Sequence, residues 1–171
     1  MQQITLYILL IVSLILASCA SDKVDDNSTI DALSQTVLTA VKYEDPELLA
    51  KYFVTGRDLE WQKENFELSR SLEEFETKLI GTDMSKVIED IRNEAMKEGL
   101  SDWSNVTFDI VRFKSHDKQG YEIAYELILR FNNGDKYKGT IEIDYLVKTA
   151  QGWRVYRIPD FLVYRDASSF R

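Results

Sequence analysis

The stretch that decides the fold is Tyr121-Glu122-Ile123-Ala124-Tyr125-Glu126-Leu127-Ile128-Leu129-Arg130-Phe131, in which every odd position is aromatic or aliphatic. The even positions carry Glu122, Ala124, Glu126, Ile128 and Arg130. Apolar side chains at period two mark a strand with one buried face. Residues 137–147 repeat the scheme, with Ile141, Ile143, Tyr145 and Val147 set against Lys138, Thr140, Glu142 and Asp144. Between the two lies Asn132-Asn133-Gly134-Asp135. Its Asn-Gly pair predicts a two-residue primed turn, which needs positive φ at both central positions.

Working outward, residues 106–114 read as a further strand whose alternation slips between Ile110 and Val111, predicting a bulge. Ser115 to Gly120, containing the single histidine His116, reads as a hairpin loop. Residues 153–158 form the last strand, entered through a turn at 149–152. Upstream the period is helical. Ser28 with Asp31 suggests a capping box, and Ile30, Leu33, Val37 and Val41 mark one face of a first helix. Asp45-Pro46 stops it and opens a short second helix carrying Leu48, Leu49, Tyr52 and Phe53. A third is expected over about 58–80 with Leu68, Leu72, Phe75 and Leu79 in one stripe. A fourth carries Met84, Val87, Ile88, Ile91 and Ala95 and closes at Gly99-Leu100. Helices followed by antiparallel strands predict an α+β domain.

Composition excludes several functions. The 171 residues carry a formal charge of -8, so the chain lacks the basic footprint of a nucleic-acid binder. One cysteine and one histidine rule out a disulfide framework and multi-ligand zinc sites. No loop has calcium or phosphate spacing, so no cofactor or metal is expected. The charge is uneven: residues 22–102 hold 20 acids and 10 bases, and residues 103–171 hold 9 acids and 11 bases. Arg154, Arg157 and Arg165 form the only basic stretch, whose expected role is to balance the domain's own field.

The first 18 residues are uncharged, and residues 4–17 are broken only by Thr5 and Ser13. That run is too short to span a bilayer and suits the apolar region of a signal peptide. Leu16-Ala17-Ser18-Cys19 follows it directly and resembles the lipobox of bacterial lipoproteins. The resemblance implies cleavage after residue 18 and acylation of Cys19, the only cysteine. Residues 19–28 are then the lipidated cysteine and a polar flexible tether, and residues 29–171 a single domain. Ala20 stands where an Asp would resemble an inner-membrane retention signal, so a bacterial outer-membrane lipoprotein with a periplasmic or surface-exposed domain is expected.

A second resemblance concerns the domain. The amphipathic first helix, the short helix of Asp45-Pro46-Glu47-Leu48-Leu49 closing on Tyr52-Phe53, and a sheet ending Gly152-Trp153-Arg154-Val155 resemble the nuclear transport factor 2-like superfamily over about 29–164. This implies N-terminal helices packed on a curved antiparallel sheet of about four strands, forming a cone. A cystatin-like arrangement is the alternative. Enzymes of the superfamily, isomerases and dehydratases, place acids, histidines or tyrosines on the inward sheet face. By parity, that face here offers Tyr121, Tyr125, Tyr137 and Tyr145 as candidate ligand contacts, while Glu122, Glu126, Glu142 and Asp144 fall on the other. The expected function is therefore non-catalytic binding of an envelope protein partner or small apolar ligand by a membrane-anchored lipoprotein. An isomerase or dehydratase, and a structural factor of a surface complex, are the alternatives.

Overall fold

Each helix starts where the sequence supplies an acceptor for its unpaired amides. A computed structural model describes residues 23–65, 81–118, 121–134 and 137–162. Helix α1 spans Ile30–Tyr43; its cap is Thr29 rather than Ser28, the Thr29 hydroxyl accepting from the Ala32 amide. Helix α2, Pro46–Lys51, is capped by Asp45, which accepts from Leu48 N at 3.0 Å, with Pro46 at the first position. Helix α3 spans Gly56–Asn65. The expected stripe at Leu68, Leu72, Phe75 and Leu79 lies outside the described residues, as do Cys19, Arg165 and the whole lipobox. Helix α4, Met84–Lys97, begins at Asp83 and buries Met84, Val87, Ile88, Ile91 and Ala95. Gly99 at φ 97 then lets Leu100 N reach the Ala95 carbonyl at 2.9 Å and tuck its side chain into the core.

The strands are β1 Val106–Lys118, β2 Tyr121–Asn133, β3 Tyr137–Thr149, β4 Gly152–Val155 and β5 Asp160–Leu162. All neighbouring strands of the β1-β2-β3-β4 path are antiparallel, and β5 shares the outer edge of β3 with β4. Among the described residues the sheet thus has five strands where about four were expected. The anticipated strand over 153–158 breaks after Val155, and 160–162 return to β3. Beyond β4, the Phe53 segment adds a parallel bridge to Val155. The architecture is α+β, helices packed with an antiparallel sheet.

Two turns differ from expectation. Asn133 pairs with Tyr137, so the β2–β3 connection is 134–136 rather than a two-residue Asn133-Gly134 turn; Gly134 still holds φ 58. His116 is not in a loop: β1 continues to Lys118, and His116 pairs with Ile123. The residues at 23–28, read as part of a flexible tether, lie against the domain, with Asp26, for example, hydrogen-bonded to Thr36.

One sheet face is filled. Leu127, Leu129, Phe131, Ile141 and Ile143 are all 0% exposed and form one cluster with Leu33, Val37, Ile88, Ile91 and Trp103. Phe131 lies over its cross-strand partner Gly139 so closely that a Cβ there would sit 2.2 Å from the ring. Burial of this face is the main stabilising term of the domain.

Candidate functional site

The alternation that names the buried face changes sides halfway along the sheet. Ala124 and Leu127, three residues apart, both belong to the main core, as do Ile143 and Leu146. Ile123, Tyr145 and Val147 pack instead in a second cluster with Val54 and Tyr156. A regular strand cannot do this, because side chains three apart point to opposite faces. The switch occurs at Glu126, which holds φ 52, and at Asp144 opposite it, the only position skipped in the β2–β3 pairing between 123 and 133. Against β1 the same place appears as a register shift between Arg112 and Lys114. A second shift lies at Asp109, between Phe108 and Ile110, one residue before the expected bulge.

The switch corrects the parity argument. Tyr125 and Tyr145 face each other across β2 and β3, half-buried on the second face and not within the helix-covered core. Their neighbours there are the acids assigned by parity to the other side. Lys114 pairs with Glu126 at 2.5 Å and Arg157 with Asp144 at 2.5 Å. Glu142 pairs in register with Asp160. Burial first, then the charges of Asp144, Asp160 and Glu126, push the Glu142 carboxyl above its ordinary range. Burial likewise raises the Tyr145 hydroxyl, while Arg157 opposes it. Tyr156 meets the Tyr145 ring edge-on at 5.9 Å. The second face is therefore a strip of tyrosines and charge pairs.

The remaining sequence candidates separate. Tyr121 and Tyr137 occupy strand ends opposite Lys118 and Asn133, and their side chains lie outside what the structure describes. Glu122 leaves the acid group and pairs with Lys148, whose ammonium lies over the Trp153 ring. His116 is exposed. Arg154 is buried: it donates to the Lys51 carbonyl at 2.6 Å and to Gln151 Oε1 at 2.8 Å, stacks on Tyr52, and lies 3.7 Å from the buried Asp58 carboxylate. With Arg157 held by Asp144, both of these arginines serve internal partners.

Among the described residues no group of three or more histidine, cysteine or acidic side chains could hold a metal ion, and no helix is long and apolar enough to cross a membrane. An open groove of about 440 Å³ lies between α4 and Ile158-Pro159-Asp160. Sequence reasoning missed the second-face cluster because it assumed unbroken parity. The available signal was Ala124 and Leu146, apolar at even positions. Comparison with known protein families, curated proteins and solved structures finds no match for this chain in any of the three.

Proposed function

We propose that this chain is a lipid-anchored lipoprotein of the bacterial cell envelope, in the outer membrane, whose domain binds a protein partner without catalysis. The anchor reading rests on the apolar run of 4–17 and Leu16-Ala17-Ser18-Cys19. The order of helices, short helix and antiparallel meander supports a nuclear transport factor 2-like cone over a cystatin-like one. The single observation that carries the binding reading is the filled helix-covered face, where Leu127, Leu129, Phe131, Ile141 and Ile143 leave no exposed surface for a small apolar ligand. Exposed apolar groups stand on the sheet instead, Ile110 at 39% and Phe113 at 40%.

The test joins anchor and partner. Intact mass of membrane-extracted protein is expected to show loss of residues 1–18 and acyl chains on the new terminus, and Cys19→Ala to release the domain. A photo-crosslinking residue at Ile110 in whole cells is expected to give one discrete adduct, and one at exposed Met96 to give none. Absence of acyl mass refutes the anchor; absence of the Ile110 adduct refutes the partner.

One observation favours a second reading. Glu142, with its raised proton affinity, shares a face with Tyr145, an arrangement suited to proton transfer. A turnover lost in Glu142→Gln would make the isomerase or dehydratase reading the correct one.

A further inference from the structure

The polar residues after the lipobox are built into the fold. Trp153 N donates to the Asn27 carbonyl at 2.9 Å, and Asn27 Nδ2 donates to the carbonyls of Gln151 and Trp153, each at 3.0 Å. The Thr36 hydroxyl, buried inside α1, accepts from Asp26 N at 2.9 Å and donates to the Asp26 carbonyl at 2.8 Å. Asp25 binds Lys51 at 2.7 Å and accepts from the Tyr52 hydroxyl. Val24 lines a groove with Lys42, Val106 and Phe108, and Lys23 pairs with Asp45 at 3.1 Å. The strap therefore runs from the β3–β4 turn to the corner where α1 ends, α2 begins and β1 starts.

Covalent geometry converts this into an orientation. From Cys19 to Lys23 there are four Cα–Cα steps, at most about 15 Å. A free tether from Cys19 to Thr29 would reach about 35 Å. The long strand β1 alone measures about 40 Å at roughly 3.3 Å per residue, with His116 near its far end. A leash of about 15 Å from Lys23 cannot bring that end to the anchor; one of about 35 Å from Thr29, close to the β3–β4 turn at that same end of the sheet, can.

We infer that the docked strap of residues 23–27 holds the corner around Tyr43 and Asp45 against the phospholipid head groups and points the β1–β2 end, with His116, away from the bilayer. This rests on the lipid anchor proposed above. Tyr43, 40% exposed beside Lys23 and Lys42, then lies at the head groups, and a partner is met by the sheet beyond them, from Ile110 and Phe113 toward the far end of β1.

The test uses the full lipoprotein, extracted from membranes and reconstituted into phosphatidylethanolamine–phosphatidylglycerol vesicles containing a head-group nitroxide lipid. With Cys19 acylated, a cysteine introduced at Tyr43 or His116 is the only free thiol for a fluorophore. Quenching is expected to be about threefold or more stronger for Tyr43→Cys than for His116→Cys. Inserting about twelve Gly-Ser residues between Ser21 and Asp22 is expected to bring the two close to equal, because the leash then exceeds the domain. The pair Asn27→Ala and Thr36→Val, which frees the strap, is expected to do so in part. Equal quenching in the native chain, with acyl mass on Cys19 confirmed on the same sample, overturns the orientation and leaves the anchor standing. Absence of acyl mass overturns both.

Discussion

Replacing Gly152 by alanine separates two costs that the structure places at one residue. Gly152 has φ 100, and a Cβ there would stand 2.7 Å from the Asn27 carbonyl oxygen and 2.8 Å from Asn27 Nδ2. A left-handed backbone costs an L-residue about 1–2 kcal/mol. The contact with Asn27 is too close for a methyl group, so the strap must move. If it detaches, the three hydrogen bonds of Asn27 go with it, at about 1 kcal/mol each. The sum is about 4–5 kcal/mol, or roughly 10–15 °C in Tm for a domain of this size. Gly134 provides the control: its φ is 58 and nothing lies within 4 Å, so Gly134→Ala carries only the backbone cost, roughly 3–6 °C. Thermal unfolding followed by the fluorescence of the buried tryptophans is the assay. Asn27→Ala is expected to cost less in the Gly152→Ala background than alone, because the strap is already displaced. Equal losses for the two glycine variants, or strict additivity with Asn27→Ala, would refute a strap pressed onto the β3–β4 turn.

Gly139→Ala is expected to cost about 1–3 kcal/mol or more in urea titrations, since the new methyl meets the Phe131 ring; adding Phe131→Leu is expected to recover part of the loss. Glu126→Gly relieves a positive φ of 52 and is expected to raise stability by up to about 1 kcal/mol, less whatever the exposed Lys114 pair contributes. Glu142 has a raised carboxyl, so the native state binds the extra proton and stability falls as pH rises from 4.5 through the raised value. Glu142→Gln is therefore expected to raise Tm at pH 7 and to lose that gain at about pH 4. Asp25 has the opposite sign. Lys51 and then Tyr52 hold its carboxyl below 3.8, so its contribution is present above that pH and lost as pH falls further. Asp25→Asn is expected to flatten this acid limb of the melting profile.

The first, second and fourth helices were legible because local chemistry specifies their ends. Asp45-Pro46 and Gly99-Leu100 each perform the capping role that their residue types imply. All five apolar residues named for the fourth helix are buried. The polar residues in α1 were not interpretable from sequence. Ser34 and Thr39 bond back to the carbonyls four residues earlier, and Thr36 is committed to the strap, a contact between segments that no local rule contains. The strand limits shifted for a related reason: β1 runs past Lys114 because its partner β2 is long enough to pair it to Lys118. Pairing partners, rather than propensity, set where strands end.

The face switch follows from a physical ambiguity in period-two patterns. A slip on one strand alone would disturb its register, but here β2 and β3 slip together at Glu126 and Asp144, and their pairing continues unchanged on both sides. Odd positions stay apolar or aromatic throughout, because beyond the slip they meet a second cluster made by Val54, Val147 and Tyr156. Parity thus records that a face is covered without recording by what. The consequence for function is specific. The separation of tyrosines from ionisable groups no longer holds for Tyr125 and Tyr145, so it cannot argue against catalysis. What argues for binding is that Glu126 and Asp144 are neutralised by Lys114 and Arg157, while the face able to exclude water is filled with aliphatic and aromatic side chains. A proton-transfer site needs a titrating group and a space for substrate beside it. Glu142 meets the first condition on the second face, and the filled core lies on the other side of the sheet, so turnover in Glu142→Gln is the measurement that separates the two readings.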